Sequence, residues 1–201
     1  MKVIKFSTIV LGLVASVVYA KQSNPNHSVL REISLDSCKF RMKDPYHVGV
    51  SIDTRSSSHS ASYVVTIDPR AQHPFQTWIR LSCEDPVTSR TLTDIAGMKM
   101  SDKGWVLNLT PNDFEEQHTT FYPLRGQGWS GGGVTQDDTD GDETRRTRTF
   151  SFCIPHRQLA ICGVAQSVGY LKWPNESVLP QVIQILESIE FIDMQSAAPA
   201  N

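Results

Sequence analysis

The sequence predicts an α+β protein with a mainly antiparallel sheet packed by a C-terminal amphipathic helix. Segments rich in β-branched and aromatic residues alternate with polar turns along most of the chain, which is typical of antiparallel strands. Helical spacing of apolar residues occurs only from Ser177 to Glu187. The even number of cysteines, Cys38, Cys83, Cys153 and Cys162, further predicts strands joined by disulfides.

Residues 1–20 have the pattern of a cleavable secretory signal peptide. Lys2 and Lys5 precede an apolar run from Ile9 to Val18, and Ala20 supplies the small residue at the cleavage point. This run is shorter than the roughly 20 residues that span a bilayer, and no later segment is apolar enough to do so. We therefore expect a protein without a membrane span that works in the periplasm or outside the cell.

The rest of the chain predicts one mature α+β domain, residues 21–193, followed by a flexible tail, residues 194–201. Loss of Lys2 and Lys5 with the signal peptide leaves more acidic than basic residues. Nucleic-acid-binding domains carry the opposite excess, so we expect no nucleic acid as a partner. The histidines are scattered singly and the cysteine spacing fits no zinc pattern, so the sequence predicts neither a metal nor another cofactor.

The N-terminal half of this domain predicts strands separated by turns. β-Branched or aromatic residues mark four of them: Cys38–Met42, His47–Asp53, Ser62–Ile67 and Thr77–Cys83. Asp-Pro dipeptides and a Ser-rich run separate these strands. A hairpin is predicted for Gly97–Leu109, and a single helical turn follows it.

The C-terminal half predicts a long exposed hairpin followed by the most apolar strand. Thr119–Trp129 and Arg146–Ile154 favour strands, and the acidic segment Asp137–Glu143 between them contains an Asp-Gly turn signal. Leu159–Leu171 is apolar and β-branched, as in a central strand buried on both faces. The amphipathic helix and a short strand, Ile189–Ile192, end the domain.

The cysteine positions favour one disulfide pairing. A four-residue loop, His156–Leu159, would place Cys153 directly opposite Cys162 on adjacent strands. We therefore favour Cys153–Cys162 together with Cys38–Cys83, although four cysteines allow three connectivities. Paired cysteines are typical of an oxidising compartment, in agreement with the signal peptide.

One motif resembles a catalytic nucleophile. The segment Gly128–Gly132 matches G-x-S-x-G, the nucleophile elbow of serine esterases, and His156 is the only histidine that follows it. An elbow needs a helix after the serine, whereas the residues after Gly133 are polar and acidic. We favour a glycine-rich strand in which Trp129 packs, and a small secreted hydrolase using Ser130 is the alternative.

Acidic residues recur at every second position in the predicted hairpin turn, at Asp138, Asp140 and Asp142. This spacing resembles a calcium-binding loop, but Thr147 occupies the position at which an EF-hand requires a glutamate. We favour a solvated turn, paired with neighbouring arginines such as Arg145. The same turn could also present charge to a protein partner.

The tryptophans, Trp78, Trp105, Trp129 and Trp173, cannot be ranked from the sequence. Each is expected to pack in the core or at its rim. A tryptophan that proved exposed would make a good anchor for a protein interface, because tryptophan is enriched among the residues that dominate binding energy.

Two local patterns carry a family resemblance. Cys38-Lys39-Phe40-Arg41 leads into Asp44-Pro45, and Gly128-Trp129 precedes the acidic hairpin and Phe152-Cys153. Together they resemble periplasmic immunity proteins that neutralise lipase effectors of the bacterial type VI secretion system. The resemblance implies a non-catalytic protein whose partner is a secreted effector and whose rigid surface occludes the effector's active site.

The contact surface that we expect for this role is the hairpin from Gly126 to Arg148. Trp129 would be its anchor. The charged residues at its tip would be Asp137, Asp138, Asp140, Asp142 and Arg145.

The last helix and strand carry a second resemblance. Ile185–Phe191 resembles the corresponding segment of Mog1/PsbP-like α/β/α sandwiches. It implies a Mog1/PsbP-like fold and, as an alternative function, an envelope assembly or ligand-carrier module.

Overall fold

The structure is a computed structural model, and it describes residues 28–55 and 59–192. The predicted signal peptide (1–20) and C-terminal tail (194–201) lie outside the described residues. So do residues 21–27 and residue 193 at the two ends of the predicted mature domain.

Strands make up about half of the described chain. In chain order they are β1 (Val29–Leu35), β2 (Cys38–Asp44), β3 (Ser51–Asp53), β4 (Ser60–Val65), β5 (Thr77–Glu84), β6 (Met98–Ser101), β7 (Gly104–Leu107), β8 (Thr120–Gly126), β9 (Trp129–Asp137), β10 (Thr147–His156), β11 (Leu159–Tyr170) and β12 (Glu190–Phe191). The α-helices are α1 (Ser89–Ala96), α2 (Pro111–Glu116) and α3 (Leu179–Glu187), and Pro174–Glu176 forms one 3₁₀ turn.

The strands form one large and two small antiparallel sheets. The large sheet has seven strands in the order β3-β4-β5-β11-β10-β9-β8, a second sheet has the order β1-β2-β12, and β6 pairs with β7. The prediction of a mainly antiparallel protein with few helices is therefore confirmed.

Two hydrophobic clusters lie on opposite faces of the large sheet. On the inner face, residues such as Phe152 and Ile161 pack with side chains of β1, β2 and α3 in the main core. On the outer face, α1 and the β6–β7 hairpin cover Cys153, Ala160 and Cys162. Alternation along β10 and β11 explains both clusters, because successive side chains of a strand point to opposite faces.

Both disulfides join the pairs favoured from the sequence. Cys153 lies opposite Cys162 in the register of β10 and β11 and is bonded to it. Cys38 at the start of β2 is bonded to Cys83 near the end of β5, so this bond joins the second sheet to the large one. The two bonds link the layers and the central strands covalently.

Several predicted boundaries were wrong because turns interrupt the strands. The predicted strand Thr119–Trp129 is in fact two strands, β8 and β9, which reverse at Gly128 with a φ of 77°. The acidic segment follows β9, and the strand predicted over His47–Asp53 begins only at Ser51. His47 itself has a left-handed φ of 58°, which does not fit an extended strand.

The sequence prediction also missed helix α1. Thr88 is its N-cap, and the Thr88 side chain accepts a hydrogen bond from the backbone N–H of Thr91 at 3.0 Å. Only Leu92 and Ala96 of this helix are buried. Because so few apolar residues mark its buried side, its hydrophobic periodicity is too short to be recognised in the sequence.

The glycine-rich run after Trp129 lies inside strand β9, as favoured over an elbow. A β-carbon on Gly131 would overlap the carbonyl oxygen of Cys153 on β10. The run therefore permits a close approach of two strand backbones.

Candidate protein-binding surface

Trp129, the predicted interface anchor, is a core residue. Its side chain belongs to the main hydrophobic cluster and the residue is only 7% exposed. Its indole Nε1 donates a hydrogen bond to the carbonyl oxygen of Ile189 at 2.7 Å. A side chain that is already buried and hydrogen-bonded has little surface left for a partner, which argues against the predicted anchor role.

Trp129→Phe should lower the free energy of unfolding by about 1 kcal/mol, because it removes this buried hydrogen bond and leaves the Ile189 carbonyl without its partner. The same variant should leave binding of any protein partner unchanged. Urea denaturation and a binding titration on the same preparation check both statements. A large loss of affinity in a fully folded Trp129→Phe protein would restore Trp129 as a contact residue.

Asp137 also lies inside the molecule and not at a charged tip. It is 9% exposed and forms a two-point ion pair with Arg148 directly opposite on β10, with 2.9 Å between Arg148 Nη2 and Asp137 Oδ2. His118 Nδ1 lies 3.5 Å from the same carboxylate. Asp137 therefore pairs with Arg148 at the end of the β9–β10 ladder, which argues against the predicted contact role.

The remaining predicted residues form an exposed loop between β9 and β10. Asp138, Asp140, Asp142 and Arg145 are all exposed. We call residues 138–146 the acidic loop. The acidic loop connects the end of β9 to the start of β10, and it does not include the glycine-rich residues of β9.

Hydrogen bonds within the acidic loop give it a defined conformation. The Asp142 carboxylate accepts hydrogen bonds from the backbone N–H and the hydroxyl of Thr144, and these bonds hold the pKa of Asp142 below its usual value. The Arg146 guanidinium donates to the carbonyl oxygens of Asp140 and Gly141, at 3.3 Å each. The backbone N–H of Leu171 in turn donates to the Arg146 carbonyl, which ties the loop to the end of β11.

Ser130 does not sit on a nucleophile elbow. It is the second residue of β9, and the chain continues as a strand through Asp137. The indole Nε1 of Trp105 lies 3.0 Å from the Ser130 carbonyl oxygen and 3.2 Å from its hydroxyl. His156, the predicted base, stacks on the ring of Phe191 at a centroid distance of 4.4 Å. The strand-to-helix turn that the hydrolase alternative requires is not formed.

Residues 28–55 and 59–192 contain no group of three His, Cys, Asp or Glu side chains that could hold a metal ion. No helix in these ranges is both long and apolar enough to cross a bilayer.

An exposed tryptophan that the sequence prediction did not single out is Trp78. It lies on the outer face of β5 and is 48% exposed, whereas Trp129 is buried and Trp105 and Trp173 are partly covered. The signal was present in the sequence. Apolar residues alternate along Thr77–Glu84 as Ile79, Leu81 and Cys83, so Trp78 falls on the polar side with Arg80 and Ser82.

Trp78 and the acidic loop lie at the same end of the large sheet. Trp78 is opposite Gln166 on β11, and β10 is the next strand. Strands lie about 4.8 Å apart and rise about 3.4 Å per residue, so Arg146, the last residue of the loop, lies roughly 15 Å from Trp78. A standard interface covers about 800 Å² on each partner, or roughly 30 Å across. One partner could therefore contact both features.

Comparisons with known proteins give no assignment. No protein-family model matches the chain, and no curated protein shows significant sequence similarity to it. A functional proposal consequently rests on the residues and geometry described above.

Proposed function

We propose that this chain is an exported, non-catalytic binding protein that neutralises a toxic secreted effector by occluding it, as periplasmic immunity proteins do. The observation that carries the proposal is the acidic loop, which presents three exposed carboxylates, at Asp138, Asp140 and Asp142, and is held by local hydrogen bonds where two paired strands meet it. A loop that is ordered before binding loses less conformational entropy when a partner docks.

The disulfides support the same proposal in two ways. They are typical of proteins that fold in an oxidising compartment, which fits export. One of them lies between β10 and β11 and therefore stiffens the strand from which the loop projects. The Mog1/PsbP-like resemblance of α3 and β12 stays a prediction about the fold and adds no site to this surface.

The exposed side chains of the acidic loop are mainly charged, and this determines how the loop contributes to binding. Exposed charges at an interface mainly accelerate encounter with a partner of opposite charge, and their effect weakens as salt rises. We therefore expect the effector to present a basic surface around its active site.

The test uses purified lipase-type effectors secreted by the same organism. The wild-type chain should bind one of them and inhibit its hydrolysis of a lipid ester. Asp138→Asn/Asp140→Asn/Asp142→Asn should lower the association rate constant about tenfold at low salt, and the difference should shrink at high salt. Surface plasmon resonance at two salt concentrations measures both.

A matched control changes the same number of charges elsewhere. Asp85→Asn/Asp94→Asn/Asp102→Asn alters three exposed carboxylates near α1 and the β6–β7 hairpin and should leave the association rate unchanged. The proposed function fails if the wild-type chain binds none of the effectors. Equal association rates for the wild type and the loop variant would remove the loop from the interface.

A further inference from the structure

Only part of the outer face of the large sheet is covered by other elements. α1 and the β6–β7 hairpin pack over the part that contains the Cys153–Cys162 disulfide. Within residues 28–55 and 59–192, another part stays open: Trp78, Arg80 and Gln166 are exposed there, next to the partly exposed Val64 on a neighbouring strand. We call these four residues the open face.

Trp78 is a large apolar side chain left exposed on this face, which favours a partner. The residues opposite it in the ladder are Val64 on β4 and Gln166 on β11, and they leave the residue 48% exposed. Exposed single apolar residues are common, but tryptophan is the residue type most enriched at the centres of protein interfaces. The backbone that carries Trp78 is fixed before binding, because β5 is paired on both sides, with β4 and β11.

Arg80 is the positive charge on the open face, and it favours a partner with a carboxylate. It lies two residues after Trp78 on the same face, opposite Ser62 on β4 and Val164 on β11. Within the described part of the chain, no carboxylate accepts a hydrogen bond from its guanidinium. The neighbouring Asp53 carboxylate interacts with Arg80 through charge alone, because its hydrogen bonds come from Arg55, at 2.9 Å from Nε to Oδ1 and 2.8 Å from Nη2 to Oδ2.

An arginine whose guanidinium donates no hydrogen bond to a carboxylate of its own chain can bind a carboxylate of another protein through two parallel hydrogen bonds. Such a pair beside a buried aromatic ring would be partly shielded from water, which strengthens it. The open face therefore complements a surface with an apolar pocket and an adjacent Asp or Glu. It does not match an anionic membrane, because the acidic loop roughly 15 Å away would be repelled by one.

We propose that the open face is the anchor of the interface, with Trp78 inserting into an apolar pocket of the protein effector and Arg80 pairing with a carboxylate beside that pocket. This inference rests on the proposed function and adds the chemistry of the partner. The effector would carry an apolar pocket flanked by an acidic group, with a basic surface facing the acidic loop.

The test is a calorimetric titration of the effector that the wild-type chain inhibits. Trp78→Ala should weaken binding at least 30-fold, as expected for a central anchor residue. Arg80→Glu should weaken it about tenfold, and replacing the facing Asp or Glu of the effector by Lys should recover most of that loss for Arg80→Glu alone.

The chain offers a matched control pair on the opposite side of the molecule. Leu30 is 50% exposed and lies directly opposite the exposed Lys43 in the β1–β2 ladder, which reproduces an apolar residue next to a cation. Leu30→Ala and Lys43→Glu should each change the affinity by less than twofold. Thermal unfolding monitored by circular dichroism verifies that each variant is folded, and Trp78→Gln provides a second variant if Trp78→Ala is unstable.

Three results would overturn the inference. Affinities of the Trp78 and Arg80 variants within threefold of the wild type would exclude the open face while leaving the proposed function intact. Binding of the wild type to anionic phospholipid vesicles, lost in Trp78→Ala, would assign the face to a membrane. Failure of the wild type to bind any effector would remove the proposed function, and this inference with it.

Discussion

Removing the disulfide Cys38–Cys83 should destabilise the protein by about 4 kcal/mol, compared with about 2.7 kcal/mol for removing Cys153–Cys162. The difference follows from the sequence separations of 45 and 9 residues, because a cross-link that closes a longer loop removes more conformational entropy from the unfolded chain. Cys38–Cys83 also joins the two larger sheets, so its loss removes the covalent link between these two layers.

The measurement is urea denaturation of the double variants Cys38→Ala/Cys83→Ala and Cys153→Ala/Cys162→Ala, followed by tryptophan fluorescence. Each double variant removes two sulfur atoms, so most of the packing loss is common to both. The prediction is wrong if the Cys153–Cys162 variant is destabilised equally or more.

Asp44→Asn should lower the free energy of unfolding by about 3 kcal/mol, because Asp44 is a fully buried carboxylate that joins three segments. It accepts hydrogen bonds from the Tyr63 hydroxyl at 2.7 Å and the Gly49 N–H at 3.0 Å, and forms an ion pair with Arg31 at 2.9 Å. The expected loss is at the lower end of the range for buried ion pairs, since the Arg31 side chain is 35% exposed.

The contribution of Asp44 to the free energy of unfolding depends on pH. Burial raises the pKa of Asp44, but the hydrogen bonds from Tyr63, Gly49, Arg31 and Val48 outweigh burial, so the pKa lies below its ordinary value of 3.8. A carboxyl whose pKa is lower in the folded than in the unfolded state stabilises the fold above the unfolded pKa. That contribution is lost as the pH falls through the folded pKa.

The difference in the free energy of unfolding between wild type and Asp44→Asn should therefore be constant near neutral pH and should narrow below about pH 4. Denaturation series at several pH values measure this difference. A difference that stays the same down to about pH 2 would show that Asp44 is not the group responsible.

Tyr63→Phe should lower the free energy of unfolding by only about 1 kcal/mol, because the Asp44 carboxylate keeps its other partners. The same denaturation measurement checks this value.

The part of the fold that the sequence predicted correctly depends on local patterns. The residue patterns of Cys38–Met42 and Thr77–Cys83 identified β2 and β5, and the spacing of Cys153 and Cys162 favoured their pairing. Helix α3 shows a clear apolar stripe, with Leu179, Val182 and Leu186 buried. These signals are readable because each comes from residues close together in the chain.

The candidate site was only partly predictable, and the errors share a cause. Trp129 has the residue type of an interface anchor, yet its indole is hydrogen-bonded to Ile189 inside the core. Asp137 has the residue type of a charged tip, yet its carboxylate is buried and paired with Arg148. Ile189 is distant in sequence, so nothing near Trp129 indicates that its indole has a hydrogen-bond acceptor. The exposed residues of the acidic loop were identified because a polar turn needs no distant partner.

By itself, the sequence determined the antiparallel strands, the cross-strand disulfide and the polar turns, because strand alternation and turn chemistry are properties of a few adjacent residues. Only the tertiary structure decided which tryptophan is covered and which part of the outer sheet face is open. That outcome depends on where α1, the β6–β7 hairpin and the second sheet pack. Burial is a property of residues brought together from the whole chain, so Trp129 became a core residue and Trp78 an exposed one.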